Sequence, residues 1–240
     1  MTSDPCKTKK KGVDLHYEEQ WQNYSEEDVV KRANNLSPVL DAIISGLDVS
    51  GLKILDLGCG PAVLPLRICD SLGAAGDIQI YGIDISIQAL ILGKEVVESK
   101  SLGNIIHLVK GDCETLPFKN NIFDAVISNA TINLLPDKEK GFKEIARVSK
   151  GGASIVAGDC TAKESKKCCQ QDDDKLWSAC IAGAPTKMEF NNLAEAAGLE
   201  MIETIDLSKD VTSLVQNGLW NWPEFIRYEM HYHVFVMRKI

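Results

Sequence analysis

Five short apolar runs alternate with helical patterns between residues 53 and 159, and this alternation limits the possible fold more than any other feature of the sequence. Short runs rich in Ile, Val and Leu are typical of buried strands, and helices between them are the usual crossovers of parallel βαβ units. The pattern therefore predicts an α/β fold with a doubly wound, mostly parallel sheet. The predicted strands are "KILDL" (Lys53–Leu57), "IQIYGID" (Ile78–Asp84), "IIHLVKGD", "FDAVISN" and "ASIVAGD" (Ala153–Asp159), and the predicted helices are Pro61–Leu72, Ser86–Lys100 and Pro136–Val148.

The N-terminal segment has a different pattern. Residues 14–47 are predicted to form a helical cap, with Ser25 as an N-cap, Pro38 as a break between two helices and Gly46 as the end. Residues 1–13 carry a basic run and show no apolar periodicity, so they are predicted to be a disordered tail.

The C-terminal segment is predicted to contain a helix and two strands, which could pair antiparallel at the edge of the sheet. They are Thr186–Gly198, Met201–Leu207 and "HYHVFVMRK" (His231–Lys239). No linker, repeat or low-complexity tract interrupts the chain, so residues 1–240 are predicted to be one domain.

Composition excludes several classes of function. The net charge of −8 argues against nucleic-acid binding, which needs a basic surface. No apolar run reaches the length of a membrane span, and the N-terminus lacks the apolar region of a signal peptide, which predicts a cytoplasmic protein without membrane attachment. Thiols stay reduced in that compartment, so the eight cysteines are expected to be thiols rather than disulfides.

A strand that runs into glycines and then a helix, "ILDLGCGPAVLPL", predicts a ligand site. Gly58 and Gly60 allow backbone N–H groups and the helix start to approach a ligand closely. A dinucleotide fingerprint would have a third glycine where this chain has Val63. Asp56 would also face a pyrophosphate unfavourably, so its carboxylate suits a cationic ligand better.

Two further acids end the next two predicted strands. Asp84 could accept both hydroxyls of a ribose, and Asp112 could accept from an exocyclic amine. Ligands of open α/β sheets bind at the carboxyl ends of strands, so the three acids predict one site. Each acid taken alone could instead be an ordinary strand-end or cap residue, and a nicotinamide site or no site is the alternative.

Four ordered motifs across residues 50–160 carry a resemblance to a known class. "LDLGCG", "YGIDIS", "GDCETLPF" and "FDAVISNATINLLPD" resemble the seven-stranded, Rossmann-like methyltransferases that use S-adenosylmethionine. The resemblance implies a cofactor-binding core at 50–160, with residues 160–240 on the substrate side. It implies that the methionine part lies near Asp56 and the glycines, the ribose near Asp84, the adenine near Asp112 and the methyl group near Asn129. The implied cofactor residues are Asp56, Gly58, Cys59, Gly60, Asp84, Ile85, Asp112, Cys113 and Asn129.

Within that class, two stretches resemble the arsenite methyltransferases. They are "ISNATINLLPDKEKGFKEIARV" and "DKLWSACIAGA" with the following "TKMEFNNLAEAAGL". The resemblance implies that Cys180 binds trivalent arsenic, a soft centre that prefers thiolate sulfur, and that a thiol reductant takes part. The chain has no cysteine after Cys180, so Cys160, Cys168 and Cys169 are its candidate partners in catalysis.

Two other functions fit the same motifs. One is a C- or O-methyltransferase of a small organic acceptor such as a quinone precursor, because the motif "GDCETLPF" fits such an enzyme equally well. The other is a protein that binds a soft metal or the cofactor without turnover. Cys69 is expected in the core, and Cys59 and Cys113 are expected as small residues beside the cofactor. Trp177, Trp220 and Trp222 are expected either over the substrate pocket or in the core.

Overall fold

The computed structural model describes residues 5–47, 53–72, 78–165 and 173–240. Within them, seven strands form one sheet in the order β3-β2-β1-β4-β5-β7-β6. The strands from β1 to β5 are parallel to their neighbours, and β7 is antiparallel to both β5 and β6. The strands are β1 (Lys53–Leu57), β2 (Gln79–Asp84), β3 (Ile106–Lys110), β4 (Phe123–Asn129), β5 (Ser149–Thr161), β6 (Leu199–Asp206) and β7 (His231–Lys239).

The doubly wound sheet predicted from the sequence is confirmed, including the antiparallel final pair. The chain order reverses at β1, which lies between β2 and β4, so the carboxyl ends of these strands diverge there. A crevice forms at such a reversal because the crossover helices lie on opposite faces of the sheet. The fold therefore places Asp56, Asp84 and Asn129 at one edge of the sheet.

Ten α-helices and one short 3₁₀ turn lie within the described residues. The predicted N-cap Ser25 forms, because its side chain accepts from Asp28 N, and Pro38 lies in the first turn of α3. Ser86, the first residue of the predicted helix, is also an N-cap and accepts from Ala89 N. The helices are α1 (Pro5–Trp21), α2 (Glu26–Asn35), α3 (Ser37–Ser45), α4 (Val63–Leu72), α5 (Ile87–Ser99), α6 (Lys138–Val148), α7 (Asp174–Ser178), α8 (Lys187–Ala196), α9 (Ser208–Gln216) and α10 (Pro223–Arg227).

The predicted disordered tail is wrong for residues 5–13, which belong to α1. Only a narrow stripe of α1 is apolar, since Val13, Tyr17 and Trp21 recur every four residues and pack on the core while the remaining faces are polar. A stripe this narrow gives no clear amphipathic pattern in the first two turns. The helix is stabilised instead by contacts with α5 and α7, on both sides of the crevice.

Two apolar clusters enclose the sheet, one on each face. The first contains α1 to α4 and the second contains α6 and α8, with Phe190 stacked on Phe235 at 3.7 Å between ring centroids. The expected core position of Cys69 is confirmed. No helix in the described ranges has the length and apolar character that a membrane crossing requires.

Candidate active site

A cleft at the carboxyl ends of β1, β2 and β4 holds about 1070 Å³ of empty space, its open mouth included. The strand ends and the loop after β1 form its floor, and α1 and α2 cover it. All nine predicted cofactor residues line the cleft, namely Asp56, Gly58, Cys59, Gly60, Asp84, Ile85, Asp112, Cys113 and Asn129.

The loop after β1 owes its path to two glycines in the left-handed region. Gly58 has φ = 65° and Gly60 has φ = 52°, a conformation that side chains with a Cβ disfavour. A Cβ on Gly58 would lie 2.1 Å from the hydroxyl oxygen of Thr131, so this position leaves no room for a side chain. The N–H of Gly60 points at the next acid and donates to Asp84 Oδ2 at 2.8 Å.

Asp56 is almost completely buried and has one oxygen without a partner. Its exposed fraction is 1%, and Oδ2 accepts no hydrogen bond from any described residue. Burial, with the nearby Asp84 carboxylate, raises the pKa of Asp56 well above its ordinary value. A buried carboxyl oxygen without a donor is costly, so this position favours a ligand that brings a cation or an N–H group.

Asp84 is held by the backbone on both oxygens. Oδ1 accepts from Ser86 N and Oδ2 from Gly60 N, each at 2.8 Å. Burial nevertheless raises the pKa of Asp84, because these hydrogen bonds only partly offset the loss of water. The carboxyl group is therefore fixed in orientation and keeps free lone pairs toward the cleft, which Ile85 also lines.

Asp112 lies opposite a lysine that the sequence did not identify. Lys10 Nζ on α1 lies 2.6 Å from Asp112 Oδ2 and 2.5 Å from Glu114 Oε2, and Lys10 lines the cleft. No local pattern marks Lys10, because it lies in the segment interpreted as a tail. The neighbouring thiols of Cys113 and Cys59 are buried beside the cleft as expected, and burial raises the pKa of both.

Arg32 is the second cleft residue that the sequence did not identify. Its guanidinium lies 5.6 Å from the centroid of the Trp21 ring and lines the cleft. Among the described residues no carboxylate forms an ion pair with it. A cation on the cleft wall without a carboxylate partner suits an anionic group of a ligand.

Asn129 ends β4 and lines the cleft. Its neighbour Ala130 has φ = 56°, which turns the backbone away from the strand. Asn129 Oδ1 accepts a hydrogen bond from Tyr232 on β7 at 2.5 Å. The walls nearby are aromatic, since Tyr17 and Trp220 line the same space.

The four cysteines predicted to act in catalysis are not brought together in the part of the chain that the structure describes. Cys180 and Cys160 are buried, and neither is among the residues that line the cleft. Cys168 and Cys169 lie outside the described residues. Across the described ranges, no group of three or more His, Cys, Asp and Glu residues is arranged to hold a metal ion.

Cys180 is nevertheless close to the cleft wall. Its sulfur lies 3.9 Å from the hydroxyl of Tyr17 and 3.7 Å from the carbonyl oxygen of Ala130. Burial, with the nearby Asp159, raises the pKa of Cys180 to about 12. The side chain is therefore a neutral thiol at pH 7, whereas a soft metalloid is bound by thiolates.

The residues of the cleft fit the predicted cofactor, S-adenosylmethionine. The unpartnered oxygen of Asp56 suits an ammonium group, Arg32 suits a carboxylate, and the left-handed glycines leave room for the chain between them. A purely apolar ligand would leave both charged groups unsatisfied.

Comparisons with known proteins agree with the geometry. A family model described as a methyltransferase domain matches residues 48–198. Demethylmenaquinone methyltransferase of Desulfitobacterium hafniense (strain Y51) is 37% identical over 109 residues, which are 45% of this chain and 42% of that protein. The enzyme of the same name from Staphylococcus haemolyticus (strain JCSC1435) is 40% identical over 106 residues, 44% of this chain and 42% of that protein. The chain thus matches less than half the length of these relatives.

Solved structures share the fold. The [4+2]-cyclase SpnF aligns with a TM-score of 0.68 and 20% identity, over 84% of this chain and 80% of that one. Geranyl diphosphate C-methyltransferase from Streptomyces coelicolor A3(2), crystallised with Mg²⁺, geranyl diphosphate and S-adenosyl-L-homocysteine, aligns with a TM-score of 0.71 and 14% identity, over 85% of this chain and 77% of that one. At these identities the likeness establishes the Rossmann-like fold, as predicted.

Proposed function

The chain belongs to the methyltransferase-domain family, and we propose that it transfers the methyl group of S-adenosylmethionine to a small organic acceptor of the quinone-precursor class. The observation that carries the proposal is the buried, unpartnered oxygen of Asp56 in a cleft that the family match includes. The relatives' names supply the acceptor class, and the aromatic wall of the cleft agrees with a flat ring.

Each charged group of the cleft has a role toward the cofactor in this proposal. Asp56 receives the ammonium group, Arg32 pairs with the carboxylate, and Asp84 accepts from the ribose hydroxyls. Asp112 accepts from the adenine amine and shares its carboxylate with Lys10. When bound, S-adenosylmethionine supplies a methyl group already activated on a positively charged sulfur.

The acceptor half of the cleft suits a flat ring, from which it would exclude water. Tyr17 and Trp220 give it aromatic walls, and Leu36 and Leu134 add aliphatic ones. Exclusion of water strengthens the polar interactions made inside and holds the reacting atoms in line. Little acid–base chemistry is needed for the transfer itself, because the leaving group is a neutral thioether.

The arsenite interpretation has weaker support. The relatives' names favour the organic acceptor. Cys180 is a neutral thiol, and neither it nor the other described candidate, Cys160, lines the cleft. With an organic acceptor, the thiol reductant has no role. The experiment below separates the two functions and also tests binding without turnover.

The test is an anaerobic assay of S-adenosylhomocysteine formation with three acceptors. They are a short-chain demethylnaphthoquinol kept reduced, a simple catechol, and arsenite with glutathione. We expect product with the quinol, methylated on the ring or an oxygen, and background release with arsenite. Arsenite-dependent product that is lost in Cys180→Ser would instead establish the metalloid function. Tight cofactor binding with no product from any of the three would favour a binding protein.

A further inference from the structure

Tyr232 does not line the cleft itself, but it contacts a residue that does, Asn129, from the far side of β5. It lies on β7 with no exposed surface, and its hydroxyl hydrogen-bonds Asn129 on β4. Gly158 on β5 lies between them, paired in register with Asn129 on one side and Val234 on the other. A Cβ on Gly158 would lie 2.7 Å from the Tyr232 hydroxyl oxygen. Because Gly158 has no side chain, the Tyr232 hydroxyl can pass over β5 and contact Asn129.

The direction of this hydrogen bond fixes the amide of Asn129. A buried hydroxyl has to donate its proton, and Asn129 is the hydrogen-bond acceptor that the structure gives to Tyr232. The carbonyl oxygen Oδ1 thus faces Tyr232, and Nδ2 with its two N–H groups faces the other way. Since Asn129 lines the cleft, those donors are available to a bound acceptor.

The surroundings of Tyr232 keep it protonated. Burial raises the pKa of its phenol well above the ordinary value, and the nearby Asp159, Cys160 and Cys180 add to this effect. The phenol therefore donates to Asn129 across the accessible pH range, and the orientation of the amide does not change with pH.

We propose that Tyr232 is a positioning residue that orients the Asn129 amide to hold an oxyanion of the acceptor beside the carbon or oxygen that is methylated. This rests on the proposed function and narrows the acceptor to a phenol or enol that reacts as its anion. For transfer to carbon, the phenol proton leaves to solvent and the ring carbon next to C–O⁻ attacks the methyl group. The C–CH₃ bond forms as the S–CH₃ bond breaks, S-adenosylhomocysteine leaves, and the proton on that carbon passes to solvent as the ring regains aromaticity.

The first test uses Tyr232→Phe, which keeps the ring and removes the hydroxyl. We expect kcat with the quinol to fall about 10–100-fold, below the roughly 10²–10³-fold cost of deleting an oxyanion donor outright. KM for both substrates should change less than twofold, and the fall should be smaller at high pH, where the acceptor ionises unaided. Tyr81→Phe is the matched control, because Tyr81 is a partly buried tyrosine on β2 that does not line the cleft. Asn129→Asp keeps the acceptor oxygen but deletes the N–H donors outright, so its kcat should fall further than that of Tyr232→Phe, by roughly 10²–10³-fold.

The second test needs no turnover. With S-adenosylhomocysteine bound, the absorbance of 4-nitrophenol in the cleft reports its ionisation. We expect its apparent pKa to be about one unit lower in the native protein and Tyr81→Phe than in Tyr232→Phe, a tenfold change in the ionisation constant. Equal values in all three proteins, or no binding of the phenol to native protein, would overturn the proposal. If the native protein does not turn over the quinol, the proposed function is refuted. If the native protein is active and Tyr232→Phe is equally active, only the present inference is refuted.

Discussion

Gly58→Ala probes the loop on which the cofactor site depends. An alanine here would be held at φ = 65°, which costs roughly 1–2 kcal/mol for a residue with a Cβ. Its Cβ would also lie 2.1 Å from Oγ1, 2.5 Å from Cγ2 and 2.8 Å from Cβ of Thr131. Such overpacking adds about 1–3 kcal/mol. The free energy of unfolding should therefore fall by about 2–5 kcal/mol, or roughly 4–20 °C in melting temperature for a chain of this size.

A second substitution separates the two contributions. Thr131→Ala removes Oγ1 and Cγ2, the two closest atoms, and leaves the backbone strain at Gly58 unchanged. Alone, it loses the hydrogen bond from Thr131 Oγ1 to the carbonyl oxygen of Asn129, worth about 1 kcal/mol. The double variant should recover about 1–2 kcal/mol of the loss seen in Gly58→Ala. That coupling lies within the range of residues in direct contact.

Urea unfolding of the four proteins gives the coupling, and calorimetric titration with S-adenosylhomocysteine gives the effect on the site. Gly58→Ala should bind at least tenfold more weakly, because its Cβ also narrows the cleft. The argument is wrong if Gly58→Ala is as stable as the native protein. It is equally wrong if Thr131→Ala adds its own loss to that of Gly58→Ala without any recovery, since the close approach would then have no energetic consequence.

Three further predictions concern the charged and thiol groups of the site. Asp56→Asn should weaken S-adenosylhomocysteine binding about 10–100-fold, yet without ligand it should melt at a higher temperature than the native protein. Because burial raises the pKa of Asp56 in the folded protein, the difference in melting temperature should grow as the pH rises above about 4. A series of melting curves at different pH values would measure it. Cys180, with a pKa of about 12, should resist iodoacetamide at pH 8 until urea unfolds the protein, as peptide mass spectrometry would detect; labelling of the folded protein would contradict its burial. Lys10→Gln should lose about 1–2 kcal/mol of stability in urea because it breaks two ion pairs, whereas Lys11→Gln, at an exposed position, should lose less than 0.5 kcal/mol.

The floor of the site could be predicted from the sequence because its chemistry is local. Gly58 and Gly60 follow a strand directly, and Asp56, Asp84 and Asn129 end strands, so their placement follows from the order of the elements. The fold was predictable for the same reason, since buried parallel strands have nearly continuous apolar sequences and the helix caps are short, specific patterns. The strand bounds differ by only a few residues from those predicted.

The cover of the site could not be predicted in the same way. Lys10 and Arg32 belong to helices whose sequences show no preference for a cleft, and only packing on the core directs them there. Tyr232 belongs to the last strand, more than one hundred residues from Asn129 along the chain. The cysteines are a different case: a family resemblance suggested a role for Cys180 with Cys160 as a candidate partner, and neither residue lines the cleft.

The division between a local floor and a distant cover also has a chemical consequence. Groups that the floor supplies are acids and backbone N–H groups, which suit the charged and hydroxylated parts of a cofactor. Groups near Asn129 that come from α1, the C-terminal connection and β7 are aromatic and phenolic, namely Tyr17, Trp220 and Tyr232. Changes at Tyr17 or in the segment between β6 and β7 are therefore expected to alter the acceptor pocket without disturbing the acids proposed to bind the cofactor. Under the proposed function, we expect acceptor specificity to depend on the segments whose role the sequence reveals least.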